Sequence, residues 1–230
     1  MVPYDWIEPP LLRQAGLQLW WRGADAGGDA PEVSSNPSPL SRLERERADR
    51  FRFQEDRSAF ENRHVFLRTV LGQLTGRDPA SLSFGEGEYG KPFLVDSGPA
   101  FNMSRSGAAT LLATGGSPVG VDVEEVRSRG KLESVARRVQ TVDEAAQWEQ
   151  IPGDQRLAAF FRLWTRKEAL MKVTGEGFQR DPASFQVGLE ARRWDEVLFC
   201  ELEGFGVIHL VDLPLPAPYL GALAVPALAK

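Results

Sequence analysis

The chain has 230 residues, of which 42% are hydrophobic and 26% are charged, and its formal net charge is −5. These values are typical of a globular protein with one large or two small domains, and the negative charge argues against a dedicated nucleic-acid binder. The single cysteine and the two histidines argue against a disulfide framework and a histidine-based zinc site. No apolar run could span a bilayer and the first residues lack a secretion-signal pattern, so we expect a cytoplasmic protein that does not contact membranes.

The first half of the chain alternates between strand and helix patterns. Residues 17–21 have the composition of a strand, and residues 39–74 are mostly helical, with Ser41 as the N-cap and Gly76 just beyond the end. A strand over residues 109–114 then leads into a glycine turn.

The second half continues with the same mixture. Strands are predicted over 119–124, 206–211 and 219–225. Thr141 and Glu144 form a capping-box pattern at the start of one helix, and a longer helix is predicted over residues 156–172. No clear internal repeat is visible in the sequence. This order predicts an α+β protein whose two halves meet near residues 115–118.

Glu168 lies on the apolar stripe of the predicted helix over residues 156–172. The stripe recurs at spacings of three and four and consists of Leu157, Phe160, Phe161, Trp164 and Met171. A carboxylate that faces a core must be paired, hydrogen-bonded or bound to a metal ion. Two interpretations remain open: Glu168 and Lys172 face a charged ligand, or they form an i, i+4 ion pair on an exposed edge.

Asp122 and Glu124 alternate with valines in the predicted strand over residues 119–124, so both carboxylates project from one face. The pair is either a solvated strand end or part of a site for a hard cation. Mg²⁺ prefers oxygen ligands and commonly uses a few carboxylates together with substrate phosphates. Joined by Glu168, these side chains would form such a site, and Lys172 beside them would suit a phosphate.

These segments resemble a known family. The run from Gly120 to Glu124 and the run from Trp164 to Lys172 resemble the signature pair of 4′-phosphopantetheinyl transferases of the surfactin-synthetase-activating type. Three further blocks agree in order along residues 42–185, namely Arg50–Phe53, Glu88–Pro92 and Phe101–Gly107.

The resemblance implies a fold and a reaction. The fold is two similar α+β lobes, here residues 1–116 and residues 117–230, the second of which carries the metal-site carboxylates. The enzyme would move phosphopantetheine from coenzyme A to a serine of an apo acyl or peptidyl carrier protein, with Mg²⁺ as cofactor. The length suggests a pseudo-dimeric monomer. The carrier protein and its pathway are left open.

The resemblance also implies roles for individual residues. Asp122, Glu124 and Glu168 would hold Mg²⁺, and Glu168 would also accept the serine proton. Lys172 would add positive charge at the pyrophosphate, and the 3′-phosphate and adenine end of coenzyme A would contact Lys91, Ser104 and Arg105.

Three positions depart from the family pattern. Arg105 replaces the usual histidine, and Ala59 and His64 each replace an arginine, for which Arg57 or Arg63 could compensate. Two alternative functions follow. The chain could be a non-catalytic relative that binds coenzyme A or a carrier protein, or a metal-dependent phosphohydrolase that uses the same carboxylates.

Overall fold

The computed structural model describes residues 16–23, 38–128, 130 and 132–227. The first residues, on which the expectation about a secretion signal rests, lie outside these ranges. In the part described, no helix is both long and apolar enough to cross a membrane.

The N-terminal sheet has three antiparallel strands in the order β1-β5-β4. They are β1 (Gln18–Arg22), β4 (Ala100–Ser106) and β5 (Ala109–Gly115), and a separate hairpin pairs β2 (Phe84–Glu86) with β3 (Pro92–Leu94). Helix α2 (Gln54–Thr75) buries Phe66, Val70 and Leu71 in a core with Leu112. Apolar burial of this kind is the main stabilising contribution to such a layer.

The C-terminal sheet has four antiparallel strands in the order β6-β9-β8-β7. They are β6 (Gly120–Glu125), β7 (Leu198–Leu202), β8 (Gly206–Leu213) and β9 (Tyr219–Pro226), and α3 (Leu132–Val139) and α4 (Val142–Gln150) lie between β6 and β7 in the chain. Helix α5 (Arg156–Thr174) packs on β6 and β9 and buries Phe160, Phe161 and Leu170. The predicted helix over 156–172 and the predicted strands are confirmed within a few residues.

The long helix predicted over residues 39–74 is two helices, so that prediction was wrong in its middle. Ser41 caps α1 (Arg42–Ala48) with a complete capping box, and the chain leaves helical geometry at residues 49–53 before α2 begins. The break turns α1 back onto α2, where the Glu44 carboxylate meets the Arg68 guanidinium at 2.7 Å. Gly76 ends α2 in the left-handed conformation that glycine favours.

An internal repeat is present, and the expectation that there is none was wrong. Arg77–Ser81 and Arg180–Ser184 have the same sequence, Arg-Asp-Pro-Ala-Ser. In both, the aspartate side chain accepts a hydrogen bond from the alanine N–H and opens a 3₁₀ turn over Pro79–Ser81 or Pro182–Ser184. Each copy follows a long helix that ends at a left-handed glycine, Gly76 or Gly175.

The repeat includes a buried cation in each half. On α2, Arg68 donates to the carbonyls of Pro79 and Leu82 and pairs with Glu44. On α5, Lys167 donates to the carbonyls of Pro182 and Phe185 and pairs with Glu144 at 2.7 Å. Both glutamates belong to a capping box, which confirms the one predicted at Thr141 and Glu144.

The fold class is α+β, as predicted, with antiparallel sheets and helices in both halves. The repeated helix, turn and buried cation support a division into two similar lobes. The predicted boundary after residue 116 remains a prediction.

Candidate active site

Helix α5 lies unusually close to strand β6, and Gly120 makes this approach possible. A Cβ atom at residue 120 would lie 2.0 Å from the carbonyl oxygen of Ala169 and 2.4 Å from the backbone nitrogen of Val173. No side chain fits at such distances, so the strand can meet the helix backbone only at a glycine. The contact places Asp122, two residues along β6, beside the Glu168 and Lys172 turns of α5.

Asp122 is the most buried carboxylate of this region, with 4% of its surface exposed. Its Oδ1 accepts hydrogen bonds from the Ser104 hydroxyl at 2.7 Å and the Lys172 ammonium at 2.6 Å. Its Oδ2 is buried and has no hydrogen-bond partner among the described residues. Burial raises the pKa of Asp122, although Lys172 and Ser104 oppose the rise. The arrangement leaves one desolvated oxygen available to a cation.

Glu168 is half-buried and faces the same group of charges. Burial raises its pKa to about 7, with further contributions from the neighbouring carboxylates of Asp122 and Glu124 and an opposing one from Lys172. The Lys172 ammonium lies 3.8 Å from Glu168 Oε2, and only 13% of the glutamate side chain is exposed. The i, i+4 ion pair therefore exists, but it faces the protein interior and not an exposed edge.

Glu124 is partly buried, and its Oε2 accepts a hydrogen bond from the Ser106 hydroxyl at 2.7 Å. Within the described ranges, no three Asp, Glu, His or Cys side chains already converge on one point that could hold a metal ion. The residues nevertheless fit a hard cation, because the unpartnered Oδ2 of Asp122 and the raised pKa of Glu168 are both conditions that a cation would relieve.

Lys91 reaches from the N-terminal half to the end of α5. Its ammonium donates to the carbonyl oxygens of Val119, Lys172 and Val173 at 3.0, 2.5 and 3.3 Å. Burial lowers its pKa to about 8. These bonds satisfy carbonyls at a helix C-terminus, which favours a cation there. Its predicted contact with coenzyme A is untested and would have to compete with these three acceptors.

Arg105 lines a cavity of about 200 Å³ in the N-terminal half. Arg22 and Arg63 line it as well, and Ala59 forms part of the wall. Burial lowers the pKa of Arg63 to about 10, and the charges of Arg105 and Arg47 add to this effect. Three arginines line this small cavity, and an anion bound there would offset the repulsion between Arg63 and Arg105.

The other predicted departure, His64, does not contribute a cation to this cavity. Its ring lies 3.9 Å from the ring of Phe60 and its Nδ1 lies 2.9 Å from the Phe60 carbonyl oxygen. Burial lowers its pKa, which favours the neutral form. Arg57, one candidate for compensation, pairs with Asp49 and Glu61. Arg63 is thus the better replacement for the arginine absent at Ala59.

Comparisons with known proteins show which family the chain belongs to. The family model of the 4′-phosphopantetheinyl transferase superfamily matches residues 118–222. The 4′-phosphopantetheinyl transferase HetI of Nostoc is 33% identical over 188 residues, which cover 78% of each chain. A 4′-phosphopantetheinyl transferase of Bacillus subtilis is 33% identical over 166 residues, 70% of this chain and 71% of that one.

The chain belongs to the 4′-phosphopantetheinyl transferase superfamily. A shorter match, 43% identical over 91 residues, is to the transferase AcpT of Salmonella typhimurium and covers 39% of this chain and 47% of that one. The predicted enzyme class, a transferase that moves phosphopantetheine to carrier proteins, is confirmed by this membership.

Sequence reasoning missed parts of the site in this transferase. Arg22 was not singled out, because it belongs to β1 and lies far from the motifs in sequence. Ser106 was not singled out either, although its hydroxyl contacts Glu124. The alternation of Asn102, Ser104 and Ser106 was the available signal, since three polar residues at a period of two share one face of a strand.

Proposed function

We propose that the chain transfers 4′-phosphopantetheine from coenzyme A to a serine of an apo carrier protein in a Mg²⁺-dependent reaction. The observation that carries this proposal is the unpartnered Asp122 Oδ2 beside Glu168 and Lys172, at the contact of β6 with α5. Asp122, Glu124 and Glu168 would hold the ion. When bound, Mg²⁺ supplies charge neutralisation at the pyrophosphate of coenzyme A.

Glu168 is the proposed proton acceptor. The serine oxygen of the carrier forms a bond to the phosphorus that bears the pantetheine arm, and the bond from this phosphorus to the bridging oxygen breaks. The serine proton moves to a carboxylate oxygen of Glu168, and adenosine 3′,5′-bisphosphate leaves. Without the ion, burial raises the pKa of Glu168 to about 7; a bound cation would lower this pKa and keep Glu168 in the carboxylate form that accepts a proton.

Lys172 has the proposed role of a fixed positive charge. Its ammonium already contacts Asp122 and Ser104, and a quarter of the side chain remains exposed. In this position it can neutralise oxygen charge that grows on the leaving group without moving far. The surrounding burial strengthens such an interaction relative to the same contact in water.

Arg105 is the proposed ligand of the 3′-phosphate, with Arg63 and Arg22 beside it. The cavity that these arginines line supports this assignment, because a permanent guanidinium can bind a phosphate through two parallel hydrogen bonds. Arg63 would supply the positive charge that is absent at Ala59. Monomeric state and cytoplasmic location remain predictions.

One assay separates the proposed reaction from the two alternatives. The protein is mixed with coenzyme A, Mg²⁺ and an apo carrier protein, and the carrier is weighed by mass spectrometry with and without EDTA. Transfer predicts a phosphopantetheine-sized mass gain that EDTA abolishes. Bound coenzyme A with an unmodified carrier would favour the binding relative, and cleaved coenzyme A without a modified carrier would favour the phosphohydrolase.

A second assay tests the anion cavity by comparing coenzyme A with dephospho-coenzyme A as donors. The Arg105→Ala substitution should weaken the use of coenzyme A by roughly 1.5–3 kcal/mol, the range for a charged hydrogen bond. It should barely affect dephospho-coenzyme A, which lacks the phosphate. Equal losses with both donors would place Arg105 outside the 3′-phosphate site.

A further inference from the structure

Strands β4 and β6 are edge strands of two different sheets, and they face each other without a backbone ladder. β4 ends the three-stranded sheet and β6 ends the four-stranded sheet. The outward N–H groups of an edge strand need partners when the strand is buried, and Val121 and Val123 are fully buried. Side-chain oxygens of β4 provide those partners at every second residue.

Three hydrogen bonds connect the two strands in one register. They join the N–H of Val121 to Asn102 Oδ1 at 2.8 Å, the N–H of Val123 to Ser104 Oγ at 3.4 Å, and the N–H of Glu125 to Ser106 Oγ at 3.0 Å. Because the side chains stand between the strands, the hydroxyl groups come within reach of the carboxylates that β6 carries at the intervening positions.

The hydrogen-bond partners of each serine therefore determine where its hydroxyl proton points. The Ser106 oxygen accepts the N–H of Glu125, and its single proton points to Glu124 Oε2 at 2.7 Å. The Ser104 oxygen accepts from the Lys172 ammonium at 3.1 Å, and its proton points to Asp122 Oδ1 at 2.7 Å. Oδ1 of Asp122 thereby accepts two hydrogen bonds, whereas Oδ2 has no partner within the part of the chain that the structure describes.

We propose that Ser104 and Ser106 are positioning residues that orient Asp122 and Glu124 for the cation, across the boundary between the two sheets. This replaces the predicted role of Ser104 as a ligand of coenzyme A, and it rests on the proposed Mg²⁺-dependent function. The hydroxyls act through the carboxylates, in the way that outer hydrogen bonds orient metal ligands in other sites. The N-terminal half thus determines the geometry of a site whose ligands all belong to the C-terminal half.

The test measures metal affinity directly, without catalysis. Mn²⁺ is titrated into the coenzyme-A-free protein and free Mn²⁺ is followed by electron paramagnetic resonance. Coenzyme A affinity is measured separately by calorimetry without metal. The variants are Ser106→Ala, the conservative Ser106→Thr, and the control Ser81→Ala, whose hydroxyl donates only to the exposed Asp78 carbonyl.

Ser106→Ala should weaken Mn²⁺ binding about 10-fold or more, the scale seen when an outer partner of a metal ligand is removed. Ser106→Thr keeps the hydroxyl and should restore most of the affinity, and Ser81→Ala should match the wild type. Coenzyme A affinity without metal should stay within about 2-fold for all variants. If Ser106→Ala does not fold, Ser106→Cys, with its weaker donor, takes its place.

Two results would overturn the inference alone: wild-type Mn²⁺ affinity in Ser106→Ala, or a loss that Ser106→Thr does not restore. A fall in coenzyme A affinity with unchanged Mn²⁺ binding would show that the serine contacts the nucleotide instead. If the wild type binds no Mn²⁺ either alone or with coenzyme A, the Mg²⁺-dependent function itself is overturned, and with it the proposed role of the serines.

Discussion

Helices α2 and α5 occupy equivalent places in the two halves of the molecule, yet only α5 carries Glu168 and Lys172, the side chains proposed to act on the reacting groups. Both end at a left-handed glycine, and both bury a cation that contacts two carbonyls of an Asp-Pro-Ala-Ser turn and a capping-box glutamate. Counted back from the terminal glycine, Thr69 on α2 stands where α5 has Glu168, and Gln73 stands where α5 has Lys172.

This difference distinguishes the residues that both halves need for folding from the residues proposed for the active site. Each half has one buried cation, Arg68 or Lys167, because the buried carbonyl groups at the turn and the carboxylate of the capping-box glutamate need a hydrogen-bond donor. Glu168 and Lys172 have no charged counterpart on α2, so the needs of the fold do not account for them. On these two helices, the residues proposed for proton transfer and charge neutralisation are those in which α5 departs from α2.

The largest expected effect comes from removing the charge at Glu168. Glu168→Gln should lower the transfer rate about 10²- to 10⁴-fold, the usual contribution of a general base, while the melting temperature holds or rises. The equivalent change on α2, Thr69→Ser, should leave activity within a few-fold of the wild type. Activity of Glu168→Gln close to that of the control would remove Glu168 from the mechanism.

The buried ion pairs should differ in their contribution to stability. Lys167→Met leaves the fully buried Glu144 without its cation and should lower the free energy of unfolding by about 3–5 kcal/mol. Arg68→Met should cost less, because the Glu44 side chain remains 14% exposed and contacts Ser41. Urea unfolding gives both values.

A double variant, Lys167→Met with Glu144→Gln, tests the cause of that loss. Removal of the unpaired charge should recover part of the stability lost in Lys167→Met. A double variant as unstable as the sum of its single substitutions would show that packing, and not the buried charge, sets the cost.

Arg63 on α2 and Arg162 on α5 are a further pair of residues at equivalent positions of the two helices. Arg63 lines the anion cavity, whereas Arg162 donates to the Leu189 carbonyl at 2.9 Å. Arg63→Met should weaken coenzyme A binding by roughly 1.5–3 kcal/mol and leave dephospho-coenzyme A little affected. Arg162→Met should leave coenzyme A binding unchanged. Calorimetric titration of both donors checks the pair, and equal effects of the two substitutions would contradict the assignment.

The smallest effect is expected at the repeated turns. Asp78→Ala and Asp181→Ala each remove a cap to an alanine N–H, at 3.0 and 2.9 Å. Both aspartates are exposed, so each loss should be about 0.5–2 kcal/mol, and the two losses should be similar. Chemical denaturation measures them. Losses that differ by more than about 1 kcal/mol would show that the two turns are not energetically equivalent.

Local signals in the sequence were sufficient for much of the fold. The helix over residues 156–172, the N-cap at Ser41, the capping box at Thr141 and the stop at Gly76 were all predicted, because each depends on side chains within one or two helical turns. The position of Glu168 on the apolar stripe followed from the same helical period, but the sequence left open whether it faces a charged ligand or an exposed edge. The break at residues 49–53 was missed, since it serves the contact of Glu44 with Arg68, which are far apart in the chain.

The sequence by itself determined which elements form, which family the chain resembles and which carboxylates share one face of a strand or the apolar stripe of a helix. Only the tertiary structure decided how these parts meet. The Ser104 hydroxyl contacts Asp122, the Lys91 ammonium caps α5, and Arg22 joins Arg63 and Arg105 around one cavity. These contacts depend on the packing of two sheets against each other, and sequence periodicity describes only the face of a single element, not its distance to another.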